Sequence, residues 1–205
     1  MSFISLRSML VGLFLTAMSV QGLAQDTVIR VEEDWEMLVE QPDQQLDAPQ
    51  ITTTLMPLGE DSNLFFQLDM NHASVPDYSP GGIQVKAYNG DECIDEQRSL
   101  AAQRLYVQSE RITWTQVLIQ TDQWLHFGIV SGQSQSWGAF GGPESFVHLQ
   151  ATGNSLENYH PDHSARNSGV TYAGNRVGYL RLVKVRYFMS SGDIVQTEVN
   201  LEAQR

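Results

Sequence analysis

The chain is poor in the residues that staple or break small folds. It has one cysteine, Cys93, among 205 residues, so neither a disulfide framework nor a four-thiolate zinc site can form within it. Its 16 Gly and 7 Pro are too few for a collagenous or low-complexity chain. Basic residues are scarce as well. The 12 Lys and Arg against 24 Asp and Glu leave a formal charge of −12, which disfavours nucleic acid as a partner. Beyond the first two dozen residues no apolar run is long enough to span a bilayer. What is present is an acidic chain, 41% hydrophobic, with enough apolar side chains for a core of its own.

Residues 1–24 have the three-part layout of a secretory signal peptide. Arg7 is their one charge, an apolar stretch runs from Met9 to Val20, and Gly22-Leu23-Ala24 supplies small residues before an expected cleavage at Gln25. The apolar stretch falls short of the ~20 residues a membrane-spanning helix needs. No cysteine follows the small residues, so a lipid-modified terminus is excluded. The expectation is an exported protein, periplasmic, cell-surface or extracellular. Residues 25–205 then form one domain with a charge of −13, 11 bases minus 24 acids.

The hydrophobic pattern is that of strands. Leu64, Phe66, Leu68 and Met70 alternate with Gln67, Asp69 and Asn71, and Ile83, Val85 and Ala87 alternate with Gln84, Lys86 and Tyr88. Trp35, Met37 and Val39 alternate with Glu36, Leu38 and Glu40. Turn clusters such as Gln41-Pro42-Asp43, Asn89-Gly90-Asp91 and Gly141-Gly142-Pro143 separate the runs. The spacing predicts an all-β fold, an antiparallel β-sandwich of jelly-roll type with about ten to twelve strands. Residues 95–107 fit neither period and read mostly as loop.

Two hairpins carry most of the detail. Residues 111–119 and 123–131 flank a two-residue turn at Thr121-Asp122 or Asp122-Gln123. That parity puts Ile112, Trp114, Leu118, Leu125, Phe127 and Ile129 on a core face interrupted by Gln116. Thr113, Thr115, Val117, Ile119, Trp124 and His126 fall on the opposite face. Residues 179–189 lead through Ser190-Ser191-Gly192-Asp193 into residues 194–200, with a phase change at Leu182-Val183 that predicts a β-bulge. Ten acids and one base lie between Asp26 and Asp61, and five bases with no acid between Arg166 and Arg186. Opposite charges across a sheet predict that the first and last long strands are neighbours.

Several runs mark a resemblance. Ile112-Thr113-Trp114-Thr115-Gln116, Trp124-Leu125-His126-Phe127, Trp137-Gly138-Ala139-Phe140-Gly141-Gly142, Ala173-Gly174-Asn175-Arg176-Val177 and Val31-Glu32-Glu33-Asp34-Trp35-Glu36 resemble a group of secreted proteins of unknown function from planctomycete-type bacteria. In architecture the chain is similar to the concanavalin-A-like jelly-roll sandwiches. Likeness of fold does not transfer function.

Metal chemistry has two candidates. His160, Asp162 and His163 offer two imidazoles and a carboxylate to a transition metal, in a loop that Pro161 makes compact. Asp91, Glu92, Asp95 and Glu96 offer hard oxygens to Ca²⁺ but lack the spacing of a Ca²⁺ loop, so a solvated acidic turn is favoured and no cofactor is expected. Cys93 lies among carboxylates, which do not activate a thiol.

Catalysis has little support. A retaining sandwich glycosidase is expected to carry Glu-x-Asp-x-Glu on one strand. The expectation is that no such run exists here; Glu32-Glu33-Asp34, whose side chains alternate around a strand or kink, is set aside as a Ca²⁺ site. Gly-x-Ser-x-Gly is missing. A lyase would need an amide, a His and a Tyr on one face, whereas Gln116 and His126 fall on opposite sides. A non-catalytic binding module is better motivated, because a pyranose presents one apolar face and a ring of hydroxyls. Trp124 and His126, extended by Trp137, are the expected ligand-binding residues for a neutral glycan. The competing expectation for Trp137 and Phe140 is a plug over the sandwich end. A structural or adhesive cell-envelope domain is the alternative function, and a polysaccharide-active enzyme a more distant one.

Overall fold

A computed structural model describes residues 26–45, 48–58, 63–73, 81–99, 103–151 and 156–204. The signal segment expected over residues 1–24 lies outside them. Among the described residues twelve strands form two antiparallel sheets. The larger sheet contains β1 (Val28–Val39), β6 (Glu110–Gln120), β7 (Trp124–Ser134), β8 (Gly138–Phe140), β9 (Phe146–Gln150), β11 (Val177–Met189) and β12 (Ile194–Glu202). Its order is β12-β11-β1-β6-β7-β8, with β9 pairing the first half of β7. The smaller sheet contains β2 (Ile51–Leu55), β3 (Leu64–Met70), β4 (Ile83–Asn89), β5 (Glu92–Ser99) and β10 (Gly169–Tyr172), in the order β10-β2-β3-β4-β5. A short helix, α1 (Pro161–Asn167), precedes β10. Among the described residues no helix is long and apolar enough to cross a membrane.

Alternation decides which side chains fill the space between the sheets. Trp35, Met37, Ile112, Trp114, Leu118, Phe127 and Leu182 from the larger sheet meet Ile51, Phe66, Leu68, Ile83 and Val85 from the smaller one, all buried. Phe66 and Phe127 stack across the interface at 4.1 Å, and Trp35 and Trp114 lie nearly parallel at 6.3 Å. Each fully buried aliphatic or aromatic side chain contributes about 1.5–3 kcal/mol, so this layer supplies most of the drive to fold.

The terminal strands are neighbours, as the charge asymmetry predicts. β11 pairs β1 on one side and β12 on the other. Both ladders lose register around Val183, which is the bulge expected at the phase change. The β6–β7 turn is Asp122-Gln123, since Gln120 pairs Leu125 and the Thr121 amide donates to the Trp124 carbonyl. Residues 95–99, the start of the segment expected to be mostly loop, belong to the edge strand β5. Only Ser99 of β5 is buried, so the strand has no apolar face from which a period could be read.

Candidate functional site

The outer face of the larger sheet collects the even-numbered residues of β1, because the odd-numbered Val31, Glu33, Trp35 and Met37 point inward. Cross-strand pairing extends them into rows. One row reads Glu198, Lys184, Asp34, Thr115, Ser131, and the next reads Glu202, Arg181, Glu36, Thr113, Gln133, Ala139. A third reads Gln196, Arg186, Glu32, Val117, Gly128, Phe146. The first row and the Glu36-to-Ala139 part of the second line an open groove of about 580 Å³, together with Arg111.

Glu32, Asp34 and Glu36 are a Glu-x-Asp-x-Glu run on one face of one strand, contrary to the sequence reading. Glu33 caused the miss: with three acids in succession, the alternate pair looks like part of a scattered cluster. Each member of the run already holds cations or donors. Arg186 bonds Glu32 through Nε at 2.7 Å and Asp34 through both terminal nitrogens at 2.7 and 2.8 Å. Thr115 Oγ1 donates to Asp34 at 2.7 Å, Arg30 pairs Glu32, and Arg111 and the Tyr179 hydroxyl engage Glu36. Burial by itself would raise the Asp34 carboxyl. The hydrogen bonds from Arg186 and Thr115 and the Arg186 and Lys184 charges outweigh that and hold it below the usual carboxylate value. A general acid of a retaining glycosidase needs the opposite shift.

Beneath this face lies a second polar cluster that the sequence does not announce. Glu33 is fully buried, and its carboxylate accepts from Trp35 Nε1 at 3.0 Å, Gln116 Nε2 at 2.5 Å, Tyr159 OH at 2.6 Å and Ser164 Oγ at 2.5 Å. Gln116 Oε1 in turn accepts from Trp114 Nε1 at 3.1 Å. Four donors and no cation satisfy the carboxylate. Burial and the Glu33 charge push the Tyr159 hydroxyl well above its ordinary pKa, so it remains a donor. The cluster ties β1 and β6 to the loop before α1 and to α1 itself. This explains why Gln116 interrupts an otherwise apolar face.

Trp124 and His126 point outward from the start of β7, as expected, and Trp124 is 41% exposed. β9 brings up His148 opposite His126 and Gln150 opposite Trp124. The two imidazoles meet edge to face with Nδ1 atoms 2.7 Å apart, and Thr121 Oγ1 lies 3.5 Å from His126 Nε2. His148 escaped the sequence reading because β9 is five residues long and the contact depends on strand pairing alone. Burial, then the charge of His148, lowers the His126 pKa below the ordinary imidazole value.

Trp137 does not join this patch. It lies beyond the far end of β7, an eleven-residue strand of ~33 Å at the usual rise. There it packs edge to face on Phe140 at 5.6 Å, and both rings rest against the core. Phe140 covers Gly132, where a Cβ would collide with its ring. This is the plug, and it corrects the extension of the Trp124 surface to Trp137.

The metal triad is likewise corrected. His160 caps α1, which turns about 100° per residue and carries Asp162 and His163 to different sides. His160 Nδ1 lies 3.5 Å from Asp162 Oδ2 and the two imidazole centroids are 5.3 Å apart. No group of three His, Cys, Asp or Glu side chains among the described residues is placed to hold a metal ion. That holds for His160, Asp162 and His163, and for the described acids Asp91, Glu92, Asp95 and Glu96. Comparison with protein-family models, with curated proteins and with solved structures finds no match to the chain.

Proposed function

We propose that the protein is an exported, non-catalytic β-sandwich module that binds a neutral glycan on the outer face of its larger sheet. The observation that carries this reading is the 41% exposed Trp124 ring beside the His126 and His148 imidazoles and the Gln150 register position. A flat apolar ring next to hydrogen-bonding groups matches the two surfaces of a pyranose. The groove with Thr113, Thr115, Ser131 and Gln133 lies toward the other end of β7, about 23 Å or more from Trp124, and is a separate surface. The local acids and the net charge of −12 disfavour an anionic polysaccharide.

The test is retention on insoluble neutral polysaccharides and on a glycan array, with Trp124→Ala in parallel. Retention by the native protein and its loss in the variant support the reading. Concentration-dependent self-assembly with no retention would favour the structural cell-envelope alternative.

The Glu32-x-Asp34-x-Glu36 run motivates a second reading, a glycoside hydrolase working in the groove. Release of reducing ends from β-glucans, abolished by Glu36→Gln, would establish it. The Arg186 clamp argues against that outcome, since it holds the Asp34 carboxyl below its ordinary pKa.

A further inference from the structure

We infer that the facing pair His126 and His148 is a two-imidazole binding site for a borderline divalent transition metal, with Cu²⁺ bound tightest. Both residues belong to paired strands, so their Cα positions are held by the β7–β9 ladder and not by a loop. Two nitrogens bound to one metal at ~2.0–2.1 Å are themselves about 2.9–3.4 Å apart for square-planar or tetrahedral angles. The observed Nδ1 separation of 2.7 Å needs an opening of only a few tenths of an ångström, by rotation of the exposed His148 ring and the half-buried His126 ring. His160 and His163 have no such convergence. Their rings are tilted at 45° with centroids 5.3 Å apart, against 4.7 Å for the facing pair.

The protonation balance is simple. In the neutral pair one Nδ1 donates to the other, so one ring carries its hydrogen on Nδ1. Metal binding moves that hydrogen to the same ring's Nε2, frees both Nδ1 lone pairs and releases no net proton. For His126, Thr121 Oγ1 is placed to accept the Nε2 hydrogen and hold the ring in that tautomer. Imidazole ligands select Cu²⁺, Ni²⁺ and Zn²⁺ over Mg²⁺ and Ca²⁺, and Cu²⁺ leads that series. Two protein ligands leave the remaining coordination positions to water or to a bound molecule beside Trp124.

The experiment is calorimetric titration of the purified protein with Cu²⁺ alone, in a non-chelating buffer, together with electron paramagnetic resonance of the bound ion. The expected result is one site per chain with hyperfine coupling to two imidazole nitrogens. Losing a direct ligand costs at least the ~10–100-fold that losing an outer-shell partner does, so His126→Asn and His148→Asn should each weaken the site by at least about tenfold. The His160→Asn/His163→Asn double variant should leave it unchanged. A site that survives both single variants, or one lost in the double variant, would overturn the inference, as would a native protein that binds no Cu²⁺. Matching circular dichroism and thermal midpoints show that the variants fold. Trp124→Ala should keep the Cu²⁺ site whether or not glycan is bound, so this inference and the glycan reading fail separately.

Discussion

Strand β1 carries four acids in five residues, and the two sides of the strand treat them in opposite ways. Outward, Glu32 and Glu36 are buried and Asp34 half-buried beneath the arginines that pair with them, Arg30, Arg111, Arg181 and Arg186. Inward, Glu33 has no cation and is satisfied by neutral donors from Trp35, Gln116, Tyr159 and Ser164. Ion pairs near water contribute modestly because solvent competes for both partners. A buried carboxylate has no such competitor, and its desolvation must be offset by hydrogen bonds in full. The outer acids therefore set the charge pattern of a surface, while the inner acid organises the packing of α1 on the sheet.

That contrast is broken most directly at Glu33. Glu33→Ala should destabilise the protein by about 3–5 kcal/mol in urea unfolding, because it strands four buried donors. A loss below that of a surface substitution would mean that the cluster is hydrated. Tyr159→Phe removes one donor to the same carboxylate and should cost about 1.5–3 kcal/mol, with α1 losing amide protection in hydrogen exchange ahead of the sheets.

On the outer side, Arg186→Met should cost about 1–2 kcal/mol at neutral pH, since it leaves Glu32 and Asp34 facing each other on one face of the sheet. Asp34 has a lowered pKa in the fold. Its contribution is thus present above the ordinary aspartate value and disappears as the pH falls through the folded one. The stability gap between native protein and Arg186→Met should accordingly narrow on acidification. A gap independent of pH would place the Arg186 contribution in packing. The smallest effect is expected at Trp124. Trp124→Ala should cost no more than about 1 kcal/mol, given its exposure, while abolishing glycan retention. A large drop in the thermal midpoint would reveal a structural ring and remove the main residue of the proposed surface.

Much of this was legible in the chain. Period-two alternation in residues 64–70 and 83–87 marked β3 and β4 and their inward faces, and the parity of the β6–β7 hairpin sent Trp124 and His126 outward. β5 was illegible because an exposed edge strand has no apolar side to reveal its period. Trp137 misled because an aromatic in a Gly-rich loop reads alike whether it binds a ligand or seals a core. The ring lies on Phe140 only because β8 turns back beside β7.

The sequence by itself determined the strand class, the inward sets of β3 and β4 and of most of the β6–β7 hairpin, the bulge at Val183 and the adjacency of the oppositely charged end strands. All of these follow from local periodicity and charge, which a strand expresses within a few residues. Only the tertiary structure decided which polar groups meet. Glu33 finds Tyr159 and Ser164 from 126 and 131 residues away, and His126 finds His148 across a ladder between β7 and β9. Such contacts depend on the order of strands in a sheet and on where α1 docks. No window of sequence encodes them, because they are set by global packing of the two sheets.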